Sequence, residues 1–384
     1  MSDYTLSKIY PSDTKTMAQL HQLLENERIR LDTHLDYTCG LFTENGNLVA
    51  TGSYFKNTLR CIAIDSNYRG EGLMNQIISH LIQLLYDQGE YHLFVYTKPD
   101  TAKYFTNLGF YTIASVDNLL VFLENRKAGF SNYLKSLQTE TEQQLTGTCI
   151  APTTGVHLNA MSKFSVSNDI EIPNLSNSAR SIAAIVLNAN PFTNGHLQLI
   201  EQSAKENELL HLFVVSEDVS IFPFSIRNEL VKQGTKHIKN IVYHETGPYI
   251  ISSATFPSYF QQDDASVTES QVQLDLMVFT KIAEALHINH RYIGSEPFSQ
   301  VTNIYNNQMQ RLLPNHGITC HIIERFTTDA EEIISASSVR QYLKNDCFDA
   351  LATFVPPTTL AFLESPEAEP IIQKCKEMAN VIHH

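Results

Sequence analysis

The chain of 384 residues contains no tryptophan and no long apolar run. Because none of its hydrophobic stretches approaches the roughly 18–20 residues that cross a bilayer, the sequence predicts no membrane-spanning helix. Its first residues also lack a basic region followed by an apolar stretch, so we expect no secretory signal. These absences favour a globular protein of the cytoplasm.

Cysteine and positive charge are also scarce. The six cysteines are scattered, and no two of them form a Cys-x-x-Cys pair. This spacing argues against a zinc site or a disulfide framework and favours reduced thiols. There are 27 basic and 41 acidic residues, which gives a net charge of −14. That balance argues against general binding to nucleic acid or to anionic membranes.

The organisation of the chain predicts two domains and a connection. Residues 1–125 contain a helical stretch, several short strand-like runs and an Asn45-Gly46 hairpin signal. Residues 126–180 are rich in polar side chains, and we expect them to be a connecting segment with some helix near Tyr133–Leu137. Residues 181–384 alternate strand-like and helix-like runs, which predicts a doubly wound, mostly parallel sheet.

The most informative motif lies at the start of the third region. An apolar run at residues 183–187 is followed by a polar loop and then by an amphipathic helix that begins near His196. A helix N-terminus offers free N–H groups to a phosphate. Gly195 permits close backbone approach, and His196 would add a positive donor. The same pattern is equally typical of an ordinary strand–turn–helix in which the histidine only caps the helix.

A second anion cradle is predicted near the C-terminal end. Ser335 is a natural N-cap, and Ser337 and Arg340 follow within two turns of helix. Taken alone, this segment is more typical of a capped surface helix. Two weaker signals lie between the motifs. Gly294 follows a predicted strand, where a small residue would admit adenine or ribose, and Arg227 would either hold an anion or be a solvated charge.

Both motifs resemble those of nucleotide-activating enzymes. Thr193-Asn194-Gly195-His196 resembles the (His/Thr)-x-Gly-His signature of the nucleotidyltransferase superfamily, and residues 334–340 resemble its Ile-Ser-Ser-Thr-x-Ile-Arg motif, with Ala336 replacing one serine. The longer string from Asn188 to His196 resembles the ATP site of citrate lyase ligases. The resemblance implies a Rossmann-like domain that uses ATP to activate acetate. Acetyl-AMP would then acetylate the CoA-like prosthetic thiol of the acyl carrier subunit of citrate lyase.

The same resemblance implies roles for particular side chains. Three residues would act directly on the phosphates in catalysis: Thr193, His196 and Arg340. Seven others would bind ATP: Asn188, Asn190, Gly195, Gly294, Ser295, Ser335 and Ser337. Mg²⁺ would be bound mostly through phosphate oxygens and water. No acidic metal motif is visible, so the sequence assigns the ion no protein ligands.

The first region carries a third motif. Asn67 to Leu73 joins a strand to a helix, and successive backbone N–H groups there can hold a pyrophosphate. Together with Thr97-Lys98-Pro99 and the segment from Tyr104 to Phe110, it resembles the acyl-CoA-binding core of the GNAT acetyltransferases, an α+β fold. The resemblance implies a site for the prosthetic arm. Its residues would be Arg69, Gly70, Glu71, Gly72 and Leu73.

One departure from the GNAT pattern concerns catalysis. Many members of that family carry a tyrosine five residues before the closing phenylalanine, where it acts as the general acid toward the leaving thiolate. In this chain Phe105 occupies that position. Tyr104 is one residue away, which turns it by about 100° on a helix. We therefore expect this domain to bind a CoA-like arm without transferring acetyl groups itself.

Other functions stay open at this stage. A nucleotidyltransferase would pass AMP to a CoA precursor or another nucleotide and retain it in the product. A GNAT acetyltransferase with a regulatory nucleotide domain, or a nucleotide sensor without catalysis, would also contain such motifs. Release of free AMP and a requirement for acetate distinguish the ligase from these competitors.

Overall fold

The computed structural model describes residues 4–32, 34–147, 180–252, 269–295, 300–328 and 330–378. These residues form a seven-stranded mixed sheet, followed along the chain by a five-stranded parallel sheet. This confirms the predicted fold class, an α+β region followed by a doubly wound parallel one. None of the helices in the described part of the chain is long and apolar enough to cross a membrane.

The N-terminal sheet has seven strands in the order β1-β2-β3-β4-β5-β7-β6. The strands are β1 (Tyr4–Lys8), β2 (Tyr37–Thr43), β3 (Leu48–Phe55), β4 (Thr58–Ile64), β5 (Phe94–Thr97), β6 (Tyr111–Val116) and β7 (Leu120–Glu124). Three helices accompany them: α1 (Thr14–Asn26), α2 (Leu73–Asp87) and α3 (Pro99–Asn107). The predicted hairpin turn joins β2 to β3, with Gly46 at a φ of 76°.

The fourth and fifth strands open a gap in this sheet. Residues Thr58 and Leu59 of β4 pair in parallel with Phe94 and Val95 of β5. Beyond Leu59, β4 continues to Ile64 along the wall of a cavity of about 790 Å³. α2 covers this part of the sheet because its apolar residues recur every four positions and share one face. They are Leu73, Ile77, Leu81 and Leu85.

A long helix, α4 (Gly129–Thr146), connects the two sheets. It contains the predicted helical stretch but is much longer, and residues 148–179 lie outside the described residues. Gly129 allows the chain to pass the buried carboxylate of Glu124, since a Cβ there would lie 2.1 Å from its Oε2. At the other end, Gln144 bonds to both backbone groups of Tyr243, at 2.8 and 2.9 Å. The connecting segment therefore packs against the second sheet.

The C-terminal sheet is parallel and has the strand order β10-β9-β8-β11-β12. Its strands are β8 (Ile182–Leu187), β9 (Leu209–Val214), β10 (Ile241–Glu245), β11 (His290–Gly294) and β12 (Thr319–Ile323). The chain builds outward from β8 to β10 and then returns to the other side of β8 with β11. Loops at the carboxyl ends of β8 and β11 therefore diverge and leave a crevice, which is where ligands bind in such sheets.

Helices cover both faces of this sheet. α5 (Asn194–Glu206) and α6 (Phe224–Thr235) pack on one face, and α7 (Glu269–Ala285) and α8 (Gln300–Leu312) pack on the other. α7 also packs against β6 of the first sheet, so the two sheets share part of one core. Four further helices form a cluster near the crevice: α9 (Ala336–Lys344), α10 (Leu351–Phe354), α11 (Pro357–Leu363) and α12 (Glu369–Glu377).

Candidate active site

A cavity of about 270 Å³ lies at the carboxyl ends of β8 and β11. The two predicted phosphate motifs, more than a hundred residues apart in sequence, meet in it. Nine of the ten predicted catalytic and ATP-binding residues line its wall: Asn188, Asn190, Thr193, Gly195, His196, Gly294, Ser335, Ser337 and Arg340. The tenth, Ser295, does not line the cavity, but its carbonyl oxygen accepts a hydrogen bond from Arg325, which does.

Thr193 and His196 form a reciprocal cap at the start of α5. The Thr193 hydroxyl accepts from the His196 backbone N–H at 3.3 Å, and the Thr193 N–H donates to Nδ1 of His196 at 3.1 Å. This capping box orders the loop and fixes the imidazole ring. The two interpretations of the motif, a helix cap and a phosphate ligand, are therefore compatible, because the His196 ring that takes part in the cap also lines the cavity.

His196 is electrically neutral near pH 7. Burial, together with the positive charges of Arg325 and Arg340, lowers its pKa to about 4. The sequence suggested a positive donor, and that interpretation is wrong because desolvation and two cations disfavour a third charge. Since Nδ1 accepts the Thr193 N–H, the proton of the neutral ring is assigned to Nε2. The ring therefore offers one N–H donor.

Gly195 is required by a close approach between the two motifs. A Cβ at this position would lie 2.9 Å from the carbonyl oxygen of Ile334, a backbone atom that cannot swing aside. The glycine thus lets the start of α5 lie against the segment that leads into α9. At Gly294, by contrast, an added Cβ would meet nothing within 4 Å, and the residue leaves open space in the cavity wall.

The second motif forms a capped helix start at the edge of the same cavity. Ser335 caps α9 by accepting from the Ser338 N–H at 3.0 Å. The buried side chain of Arg340 donates to the Ser337 hydroxyl at 3.2 Å and to the carbonyl oxygen of Asn190 at 2.5 Å. Arg340 is therefore not a solvated surface charge, and it ties the two halves of the cavity together.

The asparagines of the first motif have different environments. Asn188 accepts from Arg227 through both its side-chain oxygen and its carbonyl oxygen, at 2.9 and 2.8 Å. Asn190 accepts from the Phe222 N–H at 3.0 Å, while its buried Nδ2 has no partner among the described residues. An unpaired amide donor at a cavity wall is costly unless a ligand accepts from it.

Arg227 itself has a structural role. Its fully buried guanidinium donates to the carbonyl oxygens of Phe222, Asn188, Val215 and Glu217 at 2.8–2.9 Å. Both interpretations from sequence, an anion ligand and a solvated charge, are wrong, since the side chain ties together the loops that follow β8 and β9. It positions Asn188 without lining the cavity.

Sequence reasoning missed several cavity residues, Arg325 and Asn306 among them. Arg325 donates through Nε to the carbonyl oxygen of Ser295 at 2.7 Å, and Asn306 donates to the carbonyl oxygen of Gly294 at 3.0 Å. Both line the cavity. Arg325 follows the end of β12 by two residues, so the tendency of ligands to bind at strand ends could have identified it. Asn306 lies in the middle of α8, and no comparable signal marks it.

The N-terminal cavity contains most of the residues predicted to bind the prosthetic arm. Arg69, Gly70, Gly72 and Leu73 line it, with Gly70 and Gly72 at φ values of 95° and 80°. Leu73 is almost fully buried, and its side chain packs in the core. Glu71 is not part of the lining, and its carboxylate accepts from the Tyr4 hydroxyl.

Phe105 and Tyr104 confirm the geometric expectation for α3. Phe105 is buried and meets Phe110 edge to face, whereas Tyr104 is exposed. Both line the N-terminal cavity, and the phenyl ring has no proton to give.

Across the described parts of the chain, no group of three or more His, Cys, Asp or Glu side chains is placed to hold a metal ion.

Comparison with known families defines the class of protein. Residues 4–110 match the acetyltransferase (GNAT) family, and residues 182–363 match the citrate lyase ligase C-terminal domain. The chain thus joins a GNAT-type domain to a domain of the citrate lyase ligase type, and the predicted GNAT resemblance is confirmed.

Relatives extend this match over nearly the whole chain. A citrate (pro-3S)-lyase ligase from Escherichia coli is 34% identical, over 94% of this chain and 93% of the relative. Those of Haemophilus influenzae and Klebsiella pneumoniae are 35% and 36% identical, over 92% and 82% of this chain and 96% and 83% of the relatives. The chain belongs to the citrate (pro-3S)-lyase ligase family.

Proposed function

We propose that this enzyme activates citrate lyase by acetylating the CoA-like thiol of its acyl carrier subunit, at the expense of ATP. One observation supports this assignment above the others. Arg340 donates to the carbonyl oxygen of Asn190, 150 residues away, and so joins the two phosphate-type motifs in one cavity. Family membership supports the reaction, and this contact supports the assignment of the cavity to the nucleotide.

The first step would form acetyl-AMP. An acetate oxygen attacks the α-phosphorus of ATP, and pyrophosphate leaves. No protein nucleophile is needed, so the residues act by positioning the substrates and by stabilising charge. Thr193 and the Nε2–H of His196 would stabilise the α-phosphate. Ser337, Arg340 and the N–H groups at the start of α9 would hold the departing phosphates.

The neutral imidazole suits this task. A ring with a pKa of about 4 keeps its Nε2–H near pH 7 and adds no further charge beside Arg325 and Arg340. The hydrogen bond from the Thr193 N–H to Nδ1 holds the donor in one orientation. Such a preorganised donor costs little rearrangement when negative charge develops on phosphate oxygens.

The second step would use the N-terminal region. The thiol attacks the acetyl carbonyl, AMP leaves, and the thiol proton is lost to solvent. We assign residues 1–125 to binding of the prosthetic arm, residues 126–180 to the connection and residues 181–384 to adenylation. The loop at Arg69–Leu73 would hold the pyrophosphate of the arm, and the gap between β4 and β5 would take its pantetheine portion.

The remaining partners follow from this chemistry. ATP is the substrate, and Mg²⁺ would be bound through phosphate oxygens and water, because the described residues offer it no cluster of ligands. Acetate is the proposed acid, and the carrier subunit is the proposed macromolecular partner. With a net charge of −14, the enzyme is not expected to bind nucleic acid or membranes, and we place it in the cytoplasm.

Acid-dependent exchange of radioactive pyrophosphate into ATP tests the proposal. Purified enzyme is assayed with formate, acetate, propionate and butyrate, and free AMP is measured when the carrier is added. Exchange that requires acetate, with one AMP released per thioester, is the expected result. Exchange that proceeds without any added acid, or AMP retained in a dinucleotide or dephospho-CoA product, would instead establish a nucleotidyltransferase.

A further inference from the structure

One wall of the ATP-type cavity is apolar. Ile251, Tyr305 and Met309 line it, and all three are buried in the core between the sheet and helices α7 and α8. The Tyr305 hydroxyl is engaged by Asp275, to which it donates at 2.6 Å. This wall is a poor environment for a phosphate and a good one for a small alkyl group.

A buried cation lies beside this wall. Arg291 is only 2% exposed and lines the same cavity from β11, where its backbone pairs with Ala184 of β8. Its guanidinium lies over the ring of Phe279, 4.9 Å from the centroid. Its one hydrogen bond within the described parts of the chain runs from Nη1 to the Ala184 carbonyl oxygen, at 3.3 Å. Most of its N–H donors therefore have no acceptor there.

Asp275 compensates this charge only from a distance. It favours the charged guanidinium, yet burial dominates and lowers the pKa of Arg291. The two carboxylate oxygens accept from the Ile251 N–H at 2.7 Å and from Tyr305 at 2.6 Å. A buried arginine with so few acceptors is costly, and an anion bound in the cavity would offset that cost.

We propose that Arg291 binds the carboxylate of the acid substrate, with Ile251, Tyr305 and Met309 enclosing its short alkyl group. This inference rests on the proposed function and names the acid subsite within it. A planar guanidinium matches the two oxygens of a carboxylate. Each oxygen has a second lone pair, so an oxygen that accepts one N–H can still attack the α-phosphorus. Three bulky side chains leave room for acetate in preference to longer acids.

Kinetics of acid-dependent exchange test the role of Arg291. In Arg291→Gln, the KM for acetate should rise about 10- to 100-fold, since a charged hydrogen-bonding partner is lost. The KM for ATP should stay within about threefold, and Arg291→Lys should fall between the two enzymes. Arg311→Gln, which removes an exposed arginine on α8, is the matched control and should leave both constants unchanged. A raised KM for ATP with an unchanged KM for acetate would place Arg291 in the nucleotide site and overturn the proposal, as would no change in either.

A second variant covers the case in which Arg291 substitutions do not fold. Ile251→Ala enlarges the apolar wall and should raise the ratio of kcat/KM for propionate over acetate about tenfold. Ile288→Ala removes the same atoms from the same core outside the cavity, and it should leave that ratio unchanged. An unchanged ratio in folded Ile251→Ala would show that the acid does not contact this wall.

Failure of the proposed function would look different. Wild-type enzyme would then show no acid-dependent exchange with any acid. Binding of [1-¹³C]acetate, followed by saturation-transfer NMR without ATP, would still test the subsite. Loss of that binding in Arg291→Gln supports the inference, whereas wild-type enzyme that binds no acetate contradicts it.

Discussion

The N-terminal and C-terminal cavities of this enzyme differ in the groups that line them. The N-terminal one, of about 790 Å³, follows a strand edge and a loop with two glycines at positive φ. The C-terminal one, of about 270 Å³, is lined by two capped helix starts, a neutral histidine and buried arginines. A long flexible arm needs space and backbone donors, whereas phosphoryl transfer needs a few side chains held rigidly. This difference supports the proposal that one cavity binds the arm and the other performs the chemistry.

Removal of the His196 imidazole should have the largest effect. His196→Ala deletes the proposed donor to the α-phosphate, and acetate-dependent exchange should fall about 10²- to 10³-fold. Binding of dephospho-CoA, measured by calorimetry, should be unchanged because that ligand belongs to the other cavity. Circular dichroism and thermal unfolding would verify the fold. Exchange at the wild-type rate would remove His196 from the mechanism, and a parallel loss of dephospho-CoA binding would break the division between the cavities.

Substitution of the loop glycines should affect the N-terminal cavity and not the C-terminal one. Gly70 and Gly72 have open space around them, so Gly70→Val and Gly72→Val act through backbone strain at positive φ. We expect acetylation of the carrier to slow about tenfold, as a penalty of about 1–2 kcal/mol implies. Exchange should stay within about twofold of the wild type.

Gly89 provides the matched control for this experiment. It has a φ of 87°, also has open space, and lies outside the N-terminal cavity. Gly89→Val therefore introduces the same kind of strain without touching the proposed arm site. If it slows carrier acetylation as much as Gly70→Val does, general destabilisation and not arm binding is the cause.

The smallest predicted effect concerns stability and pH. The pKa of His196 is about 4 in the folded enzyme, against an ordinary value of 6.5 for histidine. The unfolded chain therefore takes up a proton that the folded chain resists. The contribution of this residue to stability is complete above about pH 6.5 and is lost as the pH falls toward 4. Urea unfolding at about pH 7, 5.5 and 4.5 gives the free energy of unfolding of the wild-type and His196→Asn enzymes. As the pH falls, the wild type should lose stability relative to His196→Asn. A constant difference would mean that His196 titrates normally.

Much of the C-terminal region could be predicted from sequence because local signals agreed with each other. The apolar run at β8, the loop and the capped start of α5 lie next to each other along the chain. Ser335 was likewise recognisable as an N-cap from the residues that follow it. In contrast, sequence analysis did not predict β1, because its apolar alternation covers only Tyr4 and Leu6 and the strand lies half-exposed at the sheet edge.

The burial of the arginines could not be predicted, because it depends on distant partners. Arg227, Arg291 and Arg340 are all almost fully buried, although arginine is usually exposed. Arg227 bonds to loops on two other strands, and Arg340 reaches a carbonyl oxygen 150 residues away. Local sequence contains no record of such partners, so only tertiary structure separates a ligand-binding arginine from a structural one.

Gln144 has a consequence for how copies of the enzyme can associate. Its amide bonds to the N–H and the carbonyl oxygen of Tyr243 in β10, the outermost strand on that side of the parallel sheet. The helix α4 thus occupies backbone groups to which the strand of another molecule would otherwise add. Assembly by sheet extension at this edge would first have to displace the connecting helix, which protects the enzyme from edge-to-edge aggregation there.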